Sequence, residues 1–287
     1  MELNNITKLY NNNKVINNIN FSFGKHNIIG LIGKNGVGKT TLMKIITGNI
    51  TNFKGEVVNN NKIGYSIENP KLYDKISGYE NLKIFSYILT SNFNKNYIES
   101  LIKDFDMSEY IHKKVKKYSM GMKQKLSIAI SLINNPDILI LDEPTNGMDP
   151  DGSIKVLKTI KKLSLKYNMK VLISSHKLED IELICSKALF LKKGVFVKEV
   201  DMTNEESHSS TIVITATNDF KNAYQILENK FNIKESNITE NSIILNYQDN
   251  HSNIISELSK EHIFPKSVFN KTNTLRDTYF NINEGDE

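Results

Sequence analysis

The chain has 287 residues, 39% of them hydrophobic, and carries 37 Lys+Arg against 32 Asp+Glu for a net charge of +5. That length supports one large domain, or a large and a small one, around a substantial core, and no apolar run approaches the roughly 18 residues that span a bilayer. Arg276 is the only arginine; specific nucleic-acid sites lean on arginine's planar fork, so the lysine excess predicts no nucleic-acid partner and fits solubility or an anionic membrane surface.

In chain order, Met1-Glu2-Leu3-Asn4-Asn5 has no charged-then-apolar leader character, which predicts a cytoplasmic protein. Residues 15–23 and 27–32 read as strands, and the second runs into Gly33-Lys34-Asn35-Gly36-Val37-Gly38-Lys39-Thr40, the pattern G-x-x-x-x-G-K-T. A loop of this kind turns its backbone N–H groups onto a polyanion, with glycine wherever a side chain would obstruct the approach. Gly33, Asn35, Gly36, Gly38, Lys39, Thr40 and Thr41 are therefore the candidate phosphate-binding residues. Lys39 suits the β- and γ-phosphates, and the Thr40 hydroxyl suits Mg²⁺. Residues 41–47 continue as a helix with Leu42, Met43, Ile45 and Ile46 on its buried face and Gly48 at its end.

A further strand is expected at 62–67, and the stretch of about 69–135 turns mostly helical, at 78–89, 96–105 and 119–133, as an inserted subdomain. Lys113, Lys114, Lys116 and Lys117 form the densest charge run, either a solvated face or an anionic contact. Residues 137–141 are an apolar strand ending in Asp142-Glu143-Pro144. A buried strand delivers both carboxylates to the sheet's carboxyl edge, where the phosphate loop also opens. Asp142 suits a hold on Mg²⁺ and Glu143 a base that polarises an attacking water; an acidic helix start would explain one carboxylate but not both plus Pro144. Strands at 171–174, 188–191 and 195–200 complete an α/β pattern with a largely parallel sheet. The lone Cys185, beside Ile181, Leu183 and Ile184, reads as a small core residue. A polar linker at 203–210 separates a domain over 1–202 from a small α+β domain over 211–287, with strands at 211–217 and 242–248 and helices at 220–231, 252–261 and 275–282.

Tyr118-Ser119-Met120-Gly121-Met122-Lys123-Gln124 resembles the L-S-G-G-Q signature of the ATP-binding subunits of ABC transporters, in its Y-S-x-G-M-K-Q variant, and the resemblance runs from about residue 1 to residue 200. It implies a P-loop NTPase (RecA-like) core with an antiparallel β subdomain and a helical insertion. It also implies ATP and Mg²⁺ as ligands, with Glu143, His176 and Lys39 as catalytic residues. Two such subunits, identical or sister chains, would pair head to tail and drive a separate transmembrane permease, which places the chain peripherally on the inner face of the membrane. Ser119 and the Gly121 backbone N–H would hold the ATP of the opposite protomer, using the N–H groups that an N-capped helix leaves free. Met120 and Met122 depart from the family's glycine and glutamine.

Other pieces follow in the family's order. Ser174-Ser175-His176 resembles the switch-histidine segment, and Gly147-Met148-Asp149 resembles the D-loop, with Asp149 crossing the dimer interface. Tyr10 stands where the family stacks an aromatic on adenine, or else packs as strand-end aromatics do. Ile67-Glu68-Asn69-Pro70 aligns with the Q-loop; Glu68 replaces the usual glutamine, either meeting Mg²⁺ and its waters or remaining a solvated carboxylate. This wording, and Thr274-Leu275-Arg276-Asp277-Thr278-Tyr279-Phe280, resemble the branch serving lantibiotic immunity, bacitracin resistance and phenol-soluble-modulin export. Export of amphipathic or antimicrobial peptides is the implied function. The rival class, ABC-type ATPases acting on ribosomes or DNA, usually joins two cassettes or carries a coiled-coil insertion, and neither is read here.

Overall fold

The computed structural model describes residues 1–68, 70–203, 210–215, 220–231, 236–239, 242–245, 251–272 and 274–283. The chain divides into two compact units, Met1–Thr203 and Asn204–Glu287.

In the first unit, β3 (Ile28–Ile32) and β6 (Ile138–Asp142) are buried at every position, which is why their sequences are unbroken apolar runs rather than alternating ones. They belong to a six-stranded sheet with β5 (Ile63–Ser66), β7 (Lys170–Ser174), β8 (Lys187–Lys192) and β9 (Val195–Asp201), in the order β5-β6-β7-β3-β8-β9. All neighbours pair in parallel except the edge strand β9, which runs antiparallel to β8. Helix α5 (Pro150–Tyr167), not expected from the sequence, buries Val156, Leu157, Ile160 and Leu163 at three- and four-residue spacing. Helix α6 (Leu178–Ile184) is short and packs Ile181 against Gly30, where an added Cβ would meet Ile181 Cγ2 at 2.5 Å. Cys185 is buried behind it, and that burial pushes its thiol pKa well up, as suits a core residue.

A second sheet joins β1 (Glu2–Tyr10), β2 (Asn13–Ser22) and β4 (Lys54–Val58) in the antiparallel order β2-β1-β4. Neither β1 nor β4 was expected. Asn5 and Asn18 sit at φ 54° and 53° where the register shifts, so bulges break the two-residue alternation that marks a strand; β4 is an edge strand with only Val57 partly covered. Leu3, Ile6, Ile16 and Ile19 from this sheet share one core with Ile29, Leu31, Leu42 and Met43, so helix α1 (Lys39–Ile46) is gripped from both sides.

The helical insertion carries α2 (Gly78–Thr90), α3 (Lys95–Asp104) and α4 (Met120–Ser131). Each start is fixed by a side chain: Ser77 and Glu80 form a reciprocal capping box, Asn94 accepts from the Tyr97 N–H, and Ser119 accepts from the Met122 N–H.

The second unit runs β10 (Ser210–Thr215), α7 (Phe220–Phe231), β11 (Ser236–Thr239), β12 (Ser242–Leu245), α8 (His251–Lys260), β13 (Ser267–Thr272) and α9 (Leu275–Asn283), with sheet order β11-β12-β10-β13. This β-α-β-β-α-β path is the ferredoxin-like arrangement. Ile214, Ile243, Ala223, Leu227, Ile254 and Leu258 form its core. Strands β11 and β13 were not foreseen. Residues 204–209 of the expected linker, and 216–217 and 246–248 of the expected strands, lie outside the described residues. Among the described residues, no helix is long and apolar enough to cross a membrane.

Candidate nucleotide-binding and hydrolysis site

Sheet order decides what meets what. β7 lies between β3 and β6, and the register pairs Ser174 with both Leu31 and Asp142. The three strands therefore end at one level, and the loops leaving them converge on a cavity of about 300 Å³. The phosphate loop enters from β3. Gly36 and Gly38 adopt φ 82° and 111°, which a side chain would strain. A Cβ on Gly38 would also lie 2.8 Å from the Val15 carbonyl, so only glycine lets the loop pass. The loop then becomes the N-terminus of α1, whose unpaired N–H groups and positive dipole end face the cavity.

Lys39 is buried and stretches along the loop, donating to the Gly33 carbonyl at 2.7 Å. Its ammonium also lies 3.7 Å from Glu143 Oε1. Glu143 itself is buried and adopts φ 49°, a left-handed backbone rare for a residue with a side chain. That turn directs its carboxylate back into the cavity. Its Oε2 accepts the Nδ1 proton of His176 at 2.7 Å and the His176 backbone N–H at 3.3 Å, while Oε1 has no hydrogen-bond partner. Asp142 Oδ1 accepts from the Ser174 hydroxyl at 2.7 Å, and that same hydroxyl accepts the Glu143 N–H at 2.9 Å. One serine therefore ties the two acidic residues together.

Glu68 enters from β5. Its Oε1 accepts from Asn146 Nδ2 at 3.0 Å, and its backbone carbonyl accepts from buried Gln124 on α4. The cavity thus gathers Asn35, Gly36, Gly38, Lys39, Thr40, Thr41, Glu68, Asp142, Glu143 and His176, together with Asn146. Gly33 is next to it through the Lys39 bond. Asn146 and Ser174 were not singled out from sequence; the only available signal was their adjacency to the carboxylate and histidine segments.

The remaining candidates are not part of this cavity. Ser119 is exposed at the N-terminus of α4. Gly121, two residues on, packs against the loop after β6: its Cβ would meet Met148 Cγ at 3.2 Å. Met120 covers Gly147 from the other side, its Cγ standing 2.7 Å from where a Gly147 Cβ would be, which gives the departure from the family's glycine a packing role. Asp149 caps α5 by accepting from the Gly152 N–H at 2.7 Å, and this bond holds its carboxyl below the usual range. Tyr10 is 46% exposed at the end of β1, with Lys8 Nζ 4.7 Å from its ring centroid.

A glycine-rich loop between a buried parallel strand and a helix, facing a strand-end acidic pair across one intervening strand, defines a P-loop nucleoside triphosphatase. The family described as ABC transporter matches residues 16–146. The lantibiotic transport ATP-binding protein SrtF of Streptococcus pyogenes is 36% identical over 216 residues, 72% of this chain and 93% of that one. The bacitracin transport ATP-binding protein BcrA of Enterococcus faecalis is 31% identical over 293 residues, 98% of this chain and 94% of that one. The dimeric post-hydrolysis state of the ATP-binding cassette MJ0796 bound to ADP and Pi superposes with a TM-score of 0.63 at 21% identity, covering 70% of this chain and 98% of that one, a likeness of fold. The chain belongs to the ABC transporter family as an ATP-binding subunit, and it is an ATPase.

Proposed function

We propose that two such subunits close head to tail around ATP and drive the export of amphipathic or antimicrobial peptides through a separate membrane permease. The observation that carries the catalytic part is Glu143: a buried carboxylate in a strained turn, one oxygen held by His176 and the other without a hydrogen bond, 3.7 Å from the Lys39 ammonium. Such a group accepts the proton of an attacking water while its orientation stays fixed. Lys39 leaves the Gly33 carbonyl and turns to the β- and γ-phosphates, which also frees Glu143 Oε1 from its nearest cation. His176 Nδ1 keeps Glu143 Oε2 in place.

The residues present fit Mg²⁺. Among the described residues no group of three or more His, Cys, Asp or Glu is placed to hold a metal ion by itself, so Thr40 and Asp142 would hold it together with phosphate oxygens and water. Mg²⁺ so held would neutralise charge building on the transferred phosphoryl group. Glu68 lines the same cavity and would approach that ion or its waters. Ser119, which is exposed, and the Gly121 N–H would bind the γ-phosphate held by the partner protomer, with Asp149 at the interface and Tyr10 stacking on adenine. The peptide cargo, and with it a place on the inner membrane face, is supported by similarity to SrtF and BcrA, which are named for lantibiotic and bacitracin transport.

The test is Glu143→Gln. Turnover should fall about 10²-fold or more, the scale of general-base catalysis, with ATP affinity nearly intact. Near-normal turnover, or loss of ATP binding in folded protein, would contradict the assignment.

A further inference from the structure

We infer that Asp180 is a positioning residue for hydrolysis: its buried carboxylate clasps Thr145 and Ser175 and so fixes Glu143 and His176 relative to each other. Thr145 follows Glu143 by two residues, and Ser175 immediately precedes His176. The Thr145 hydroxyl donates to Asp180 Oδ2 at 2.5 Å, and the Ser175 hydroxyl donates to the same oxygen at 3.3 Å. All three side chains are buried, at 1%, 0% and 7% exposure for Thr145, Ser175 and Asp180. Ser175 Oγ in turn accepts the Lys177 N–H at 3.0 Å, which ties the segment to the start of α6.

The chemistry of this clasp is unusual for a purely structural contact. Burying a carboxylate is costly, and two hydroxyls are weaker compensation than a cation would be. Meanwhile the backbone beside it is strained: Glu143 holds φ 49°, a state that persists only when its surroundings over-determine it. Ser174 fixes that turn from the Glu143 N–H side. Asp180 fixes it from the other, by anchoring the residue two positions on. Because the same oxygen also anchors the neighbour of His176, a single atom sets the spacing of the 2.7 Å contact between Glu143 and His176.

This inference rests on the reading of Glu143 as the base, and the experiment separates the two. In the full-length protein, Asp180→Ala should lower kcat roughly 30-fold, within the range that ångström-scale misplacement produces, with the Kd for a fluorescent ATP analogue within about 3-fold of wild type. Asp180→Asn should recover kcat to within about 3-fold, since both hydroxyls need only one acceptor oxygen and an amide carbonyl supplies it. Should Asp180→Ala not fold, Thr145→Val removes one arm at constant volume and should cost about 10-fold in kcat. In single-turnover assays, Asp180→Ala placed on Glu143→Gln should add less than about 2-fold, because the group it positions is already gone. Unchanged kcat in folded Asp180→Ala, an equal fall in ATP affinity, or full additivity with Glu143→Gln would overturn the clasp alone. Wild-type turnover in Glu143→Gln would instead overturn the base assignment.

Discussion

Two helix N-termini in this chain, those of α1 and α4, are the ones proposed to meet phosphate, and they differ in everything around them. The N-terminus of α1 opens into a cavity lined by a buried lysine and three carboxylates. That of α4 is exposed, capped by the Ser119 hydroxyl, with no acidic residue in its first turn. The first site carries the means to hold, polarise and hydrolyse a triphosphate. The second offers only N–H groups and a hydroxyl, so its proposed part is to grip a phosphate and do nothing further to it. On the proposed function, the contrast would give one chain two half-sites, each finished by its counterpart on another copy.

The sharpest way to break that comparison is to spoil the second half-site without disturbing the first. Ser119→Asp does so, because aspartate caps a helix as well as serine yet places a negative charge where phosphate must dock. Hydrolysis should fall about 10²-fold or more, since repulsion worth several kcal/mol at about 4 Å blocks the composite site. Thermal stability and ATP binding to the isolated subunit should hold. A variant that hydrolyses normally would show that α4 contacts no phosphate.

Ser174→Ala probes the crowding at the first site. Its hydroxyl bridges the Asp142 carboxylate and the Glu143 N–H, so removal leaves a buried N–H unsatisfied and both carboxylates less fixed. A kcat loss of about 10-fold is expected, with a stability loss of about 1–3 kcal/mol read from denaturant unfolding. Unchanged kcat would mean the strained turn holds itself.

Much of this was legible in the sequence, and the boundary has physical reasons. Strands buried on both faces write themselves as apolar runs, so β3, β6 and β7 stand out. Bulged β1, with Asn5 at positive φ, and edge β4, with little to bury, leave no such trace. The phosphate loop and Asp142-Glu143 could be read because their chemistry lies in consecutive residues. Asn146, Ser174 and Asp180 could not, because each acts on a group that only the sheet order or the packing of α6 brings near.

Smaller effects are expected where the two half-sites meet. Glu68 bonds to Asn146 at the first site and, through its carbonyl, to Gln124 on the helix of the second. Glu68→Gln should keep ATPase activity within about 3-fold, as an amide preserves one acceptor, whereas Glu68→Ala should alter its dependence on Mg²⁺ and its stimulation by the permease. Coincident Mg²⁺ titrations for wild type and Glu68→Ala would remove Glu68 from the mechanism. Smallest of all should be the effect of deleting the second unit after Thr203: every cavity residue precedes it, so the ATP analogue's Kd should stay within about 3-fold. Loss of binding in a folded truncation would contradict that.

The most direct test of mutual completion is sedimentation of Glu143→Gln with and without MgATP, beside Glu143→Gln carrying Ser119→Asp. The account predicts an ATP-dependent dimer for the single variant, and a monomer that still binds ATP for the double one. A dimer of equal strength in both would contradict it.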